Sequence, residues 1–157
     1  MKIDTSLFRL GTSSWSCSDW VGKFYQPGTV AADFIAAYAR KLNTVEIDST
    51  FYATPRKSVV EGWRDRTPET FLFAAKVPQV ITHEKFLENC DADLKTFVEV
   101  MSGLGPRLGP MLLQFPYYSK KNGVTNEEFV RRLKAFLPTL PKAFRWVVEV
   151  RNKAWLG

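Results

Sequence analysis

Five short apolar runs alternate with four amphipathic stretches along this chain, and that alternation restricts its fold more than any single motif. The runs are FRLGTSS (Phe8–Ser14), TVEIDST (Thr44–Thr50), FLFAAKV (Phe71–Val77), PMLLQF (Pro110–Phe115) and FRWVVEV (Phe144–Val150). Each is six or seven residues long and mainly apolar, as strands covered on both faces are. Helical stripes fill the gaps. Phe34, Ile35, Tyr38 and Leu42 share one face. Ser58 with Glu61 predicts a capping box, with Val59, Val60 and Trp63 on the buried side of the helix it opens. Leu94, Phe97, Val98 and Met101 form a third stripe, capped by Asp91 or a neighbour. Thr125 with Glu128 predicts a second box. It opens a helix that turns Phe129, Leu133, Phe136 and Leu137 inward and stops at Pro138 and Pro141. Strand–helix alternation of this kind means βα units and a parallel sheet, here in one domain over residues 1–157.

Two parallel architectures compete. A doubly wound nucleotide-binding sheet needs a glycine-rich turn after its first strand, but GTSSWSCSDW stands there and no phosphate-loop pattern occurs elsewhere. A TIM-type (β/α)8 barrel instead gathers polar groups at the C-terminal ends of its strands. The runs fit that pattern. Val45 and Ile47 face the helices, while Glu46 and Asp48 face in. Lys76 shares a face with Ala74, Gln114 with Leu112, and Glu149 and Arg151 with Val147.

The formal net charge of +6 comes from scattered residues, among them Arg64, Arg66, Lys120, Lys121, Arg131 and Arg132. It is read either as a solvated basic surface or as an attraction for nucleic acid. Cys17 and Cys90 match no metal-ligand spacing and no disulfide framework, and the N-terminus carries no apolar leader. No stretch is apolar enough to span a membrane, so the expected location is cytoplasmic.

The inward set, Glu46, Asp48, Lys76, Gln114, Glu149 and Arg151, is joined by His83 in the loop after the third run. Glu46, Glu149 or His83 could serve as general acid or base. Lys76 and Arg151 could hold a phosphate or carboxylate. The charged members also nearly neutralise one another, so a structural polar network is the competing reading, with His83 as a loop hydrogen-bonding residue and Gln114 as a satisfied core group. No zinc site can be built, but Glu46, Asp48 and Glu149 could hold a hard divalent ion such as Mg²⁺ or Mn²⁺. Aromatics follow the strand ends: Trp15, Trp20, Phe24 and Tyr25; Phe51 and Tyr52; Tyr117 and Tyr118; and Trp155. They either stack on a ring-bearing ligand, with Trp15, Tyr52 and Trp155 as its contacts, or pin the loops.

Five segments, GTSSW, TVEIDSTFYATP, FAAKVPQVITHEKFL, GPMLLQFP and VVEVRNKAWL, resemble in order the signature segments of the YecE-like family, also called domain of unknown function 72. Cys17 stands where that family commonly has an aromatic, and Asp48 where it commonly has asparagine. The resemblance implies an eight-stranded β/α barrel without a settled activity. It also implies that this chain carries the first five strands, with three βα units expected beyond Gly157. The expected function is hydrolase-like acid/base chemistry, on a phosphodiester or a glycoside. The substrate would be a small molecule bearing a phosphate or a ring, and the site is expected to need the three further βα units to be whole. A non-catalytic nucleic-acid binder is the alternative.

Overall fold

A computed structural model describes residues 8–118 and 123–155, and in it four of the five apolar runs form strands. These are β1 (Thr44–Ile47), β2 (Leu72–Lys76), β3 (Leu108–Gln114) and β4 (Trp146–Glu149). They pair in the order β1-β2-β3-β4, every pair parallel. The helices are α1 (Phe34–Ala39), α2 (Lys57–Asp65), α3 (Asp91–Met101) and α4 (Asn126–Phe136). The ladder is regular except between β2 and β3, where its register shifts between Phe73 and Ala75. Pro110 lies in β3 opposite that shift. It has no N–H to give the ladder, so the pairing bulges there.

Alternation sorts the side chains. Val45, Ile47, Phe73, Ala75, Met111 and Leu113 are each at most 1% exposed, packed with Trp63, Phe97 and Met101 of the helical layer. The opposite face carries Glu46, Ala74, Lys76 and Gln114, all partly exposed, and Val147, which is 46% exposed. The expected division between helix-facing and opposite faces is therefore realised.

The first run departs from expectation. Residues 8–14 lie beside β1 without forming a strand. Side chains take the bonds a ladder would use: the Leu10 N–H donates to Asn43 Oδ1 (2.9 Å) and the Thr12 N–H to Tyr38 Oη (2.7 Å). One ladder-like bond remains, from the Glu46 N–H to the Thr12 carbonyl (3.0 Å). Contact with β1 is still close, since a Cβ on Gly11 would lie 2.0 Å from the Thr44 carbonyl oxygen.

Three helix details also differ. Arg56 is extended, so α2 begins at Lys57 and Ser58 falls inside the first turn, too late to cap; no side chain caps this end. Val59 is 41% exposed, leaving Val60 and Trp63 as the buried side. Leu137, also 41% exposed, turns out of the core in the 3₁₀ turn Leu137–Thr139 where Pro138 ends α4. The Thr125 cap forms, its Oγ1 accepting from the Glu128 N–H (3.2 Å), but the Glu128 carboxylate bonds Arg131 and Arg132 instead of closing the box. At α3 the preceding residue is Cys90, and no side chain, Asp91 included, makes a capping bond.

Gly11→Ala should destabilise the chain by about 1–3 kcal/mol, because the new methyl group meets backbone that cannot step aside. Gly103→Ala, whose Cβ would sit 3.6 Å from Val60 Cγ1, is the control and should change stability by less than about 0.5 kcal/mol. Equal denaturant midpoints for the two variants would show that the Gly11 approach is unimportant.

Candidate functional site

The C-terminal ends of the four strands carry two polar groupings. Across β1 and β2, Lys76 Nζ lies 3.3 Å from Glu46 Oε1, with side chains 18% and 31% exposed. Across β3 and β4, Gln114 Nε2 donates to both oxygens of Glu149 (2.9 Å each), and Arg151 Nε reaches Glu149 Oε1 at 3.4 Å. The Glu149 contact uses only Nε of Arg151, so it leaves the two terminal nitrogens of the guanidinium unused.

Buried Thr50 fixes the ends of β1 and β2 together. Its hydroxyl lies 2.8 Å from the Ile47 carbonyl and 2.7 Å from the Lys76 carbonyl. Asp48, expected on the inward face of a longer strand, lies beyond β1. It precedes the 3₁₀ turn Ser49–Phe51, where its carbonyl accepts the Phe51 N–H. That turn carries Phe51 toward the next loop, where a π-helical turn, Val80–Glu84, holds His83. The His83 ring meets Phe51 edge-on, with centroids 4.9 Å apart, and its Nδ1 shares a hydrogen bond with Thr82 Oγ1 (2.8 Å). Burial holds the His83 pKa below its usual value, the Arg151 charge pushes it the same way, and Glu84 opposes them. Both of the larger effects favour the uncharged imidazole. The segments that follow β1 and β2 meet at this Phe51–His83 contact.

The aromatics divide by role. Trp15 packs edge-on against Trp63 and Phe73, with centroids at 5.3 and 6.3 Å, which places it against the helix-facing layer. Tyr25 is buried and stacks on Phe34 at 4.8 Å; Trp20 and Phe24 pack around it. Trp155 stacks on Phe129 and Tyr118, at 4.8 and 5.5 Å. Tyr52 and Tyr117 are the open ones, at 72% and 66% exposure. Most of the set thus pins loops, and the sequence contacts Trp15 and Trp155 are engaged in packing.

Sequence reasoning missed two anchors. Buried Asn152 accepts from the Tyr118 N–H (2.9 Å) and donates to the Tyr118 carbonyl (2.8 Å), tying the ends of β3 and β4 together. Tyr38 was read only as a helix-stripe residue, yet its hydroxyl bonds Thr12 and the Thr44 carbonyl. An Asn directly after a strand and a Tyr in a helix carry no such signal in one sequence. Among the described residues, no group of three or more His, Cys, Asp or Glu side chains could hold a metal, so Glu46, Asp48 and Glu149 do not form the expected divalent-ion site. Register explains the separation: Glu46 aligns with Ala74 and Glu149 with Gln114, on strands three steps apart.

A family model described as protein of unknown function DUF72 matches residues 9–157. The UPF0759 protein YecE of Escherichia coli K12 is 34% identical over 143 residues, covering 91% of this chain and 48% of the relative. The UPF0759 protein YunF of Bacillus subtilis is 30% identical over 156 residues, covering 94% and 52%. Among solved structures, a DUF72 family protein from Thermotoga maritima superposes with a TM-score of 0.67 at 27% identity, covering 90% of this chain and 54% of that one. One from Enterococcus faecalis gives 0.65 at 26%, covering 95% and 52%. This chain spans about half the length of the curated relatives it matches.

Two outcomes follow from this geometry. Thr50→Val should cost about 1–2 kcal/mol in denaturant unfolding, since it strips a donor from two carbonyls at the strand ends. Glu128, held down to about 2 by its bonds to Arg131 and then Arg132, has a folded pKa below its unfolded value. Its contribution to stability is therefore full above about pH 4.5 and is lost as pH falls toward about 2. Glu128→Gln should flatten that limb of the acid-unfolding curve.

Proposed function

Because the chain belongs to the DUF72 family, whose description assigns no activity, we propose its function from the strand-end residues themselves. We read the sheet as part of a β/α barrel with its site at the C-terminal strand ends. The site binds a small ligand bearing a phosphate and a ring and performs hydrolase-type acid/base chemistry on it. Arg151 and Lys76 hold the anion, with Arg151 aimed by Glu149 and Gln114. His83 and Glu46 exchange protons with the ligand. Exposed Tyr52 offers its ring face to the ligand. The observation that carries this reading is His83: its ring packs edge-on against Phe51 at the strand-end rim, and burial and the Arg151 charge both favour its uncharged form, which can accept a proton while a cation holds the negative charge.

The geometry favours a phosphate ester over a glycoside. Two carboxyl groups acting on one glycosidic bond stand about 5–9.5 Å apart. Glu46 and Glu149 lie on β1 and β4, with β2 and β3 between them, and each is already engaged by a partner on the adjacent strand, Lys76 and Gln114. The nucleic-acid alternative has less support, because much of the positive charge is engaged. Arg9, Arg64, Arg66, Arg107 and Lys41 donate to backbone carbonyls, and Arg131 and Arg132 pair with Glu88 and Glu128. Lys120 and Lys121 lie outside the described residues. No described helix is long and apolar enough to cross a membrane.

The test is a panel of phosphomonoesters and phosphodiesters with ring-bearing leaving groups. Arg151→Gln should weaken binding of the accepted ester at least tenfold, and His83→Asn should cut turnover about 10²–10⁴-fold with binding retained. Turnover unchanged in His83→Asn, or absent for every ester in the unaltered chain, would sink the reading.

A further inference from the structure

The segment after His83 is strained. Phe86, Leu87 and Asn89 have φ of 45°, 67° and 53°, three non-glycine residues in the left-handed region within four positions. Side chains avoid that region unless the surroundings impose it. Two agents impose it here. Phe86 and Leu87 are buried, the Phe86 ring lying 5.1 Å from Tyr118 and 6.2 Å from Phe129. The other agent is Arg132 of α4, which grips the turn at both ends. Its Nη1 donates to the Phe86 carbonyl (3.1 Å) and stands 3.2 Å from Glu88 Oε2. Its guanidinium covers the Phe86 ring at 4.7 Å. Glu128 steadies it through Nε (2.6 Å), and Arg131 holds the other Glu88 oxygen (3.0 Å).

The strained turn is bonded back to the π-helical turn. The Leu87 N–H donates to the Ile81 carbonyl and the Lys85 N–H to the Val80 carbonyl, both at 2.9 Å, bracketing His83. We propose that Arg132, latched to Glu88, is a positioning residue for His83: it holds the turn so that the imidazole stays against Phe51. This rests on the reading that His83 exchanges protons with the ligand, and it adds the element that sets where His83 stands. A latch on a strained loop fits the need, because left to itself the turn relaxes toward right-handed backbone and carries the π-helical turn with it.

His83 is the only histidine in the chain, so its ring proton resonance reports on this loop without ambiguity. The charged groups acting on the ring are Arg151 and Glu84, with Thr82 on Nδ1 and Phe51 at its edge. The experiment is an NMR pH titration of His83 in the whole chain, for the unaltered protein, Glu88→Gln and Arg132→Gln, with the Phe51–His83 nuclear Overhauser contact measured alongside. Glu88→Gln decides the matter by sign. Removing a negative charge would by itself lower the His83 midpoint, whereas unlatching the loop exposes the ring and raises it by about 0.3 units or more. The expected result is a higher midpoint and a weaker Phe51 contact in both variants. A midpoint that falls or stays put in Glu88→Gln, with the contact intact, overturns the proposal. If Arg132→Gln fails to fold, Glu88→Gln, at a carboxylate 44% exposed, still decides it. The titration uses no ligand, so a failed latch is distinguishable from failed ester chemistry.

Discussion

Val45 and Ile47, Phe73 and Ala75, and Met111 and Leu113 all bury themselves toward the helical layer, and the rest of the architecture follows from that commitment. A strand repeats every two residues, so burying one set sends the alternate set to the opposite face. Glu46, Lys76 and Gln114 stand on that face for this reason, and because the strands are parallel their C-terminal ends meet at one rim. Slipping β1, β2 or β4 by one residue would bury a charge, and slipping β3 would bury Gln114 and expose Met111 and Leu113.

Short polar bonds then join neighbouring strand ends. Thr50 spans β1 and β2, Gln114 and Glu149 span β3 and β4, and Asn152 ties the segments that follow β3 and β4. The loop after β2 is held differently. Its backbone is strained, and contacts from α4, the last helix before β4, keep it in place. Rigid strand ends and a clamped loop together give the rim a fixed shape, the condition that proton transfer requires of its participants.

The alternation of strands and helices was legible because both periodicities are local. So was the division of the strands into two faces, and so was Thr125 as a cap, since a cap acts within one turn of helix. The first run misled because its residues are apolar enough for a strand, whereas Asn43 and Tyr38, more than twenty residues away, take its N–H groups. Trp15 and Trp155 were open to two readings for a related reason: positions after strand ends suit either a ligand or a packing neighbour, and the structure supplies Trp63 and Phe129 as neighbours. Ser58 missed its cap by two positions, since the extended Arg56 starts the helix early.

Along the strands, the sequence determined which side chains face the helices and which polar groups face the other way, because pleat and burial alternate within short segments. The stretch TVEIDST already placed Glu46 opposite Val45 and Ile47. Only the tertiary structure decided which rim groups touch. Register and strand order paired Glu46 with Lys76 and Glu149 with Gln114, kept those pairs on different strand pairs of one face, and left no three-carboxylate cluster among the described residues. Contacts between residues distant in the chain depend on how elements stack, and no local periodicity encodes that. The turn that follows His83 is the clearest case: ordinary loop in sequence, it is bonded by Arg132 of a helix that begins more than forty residues after His83.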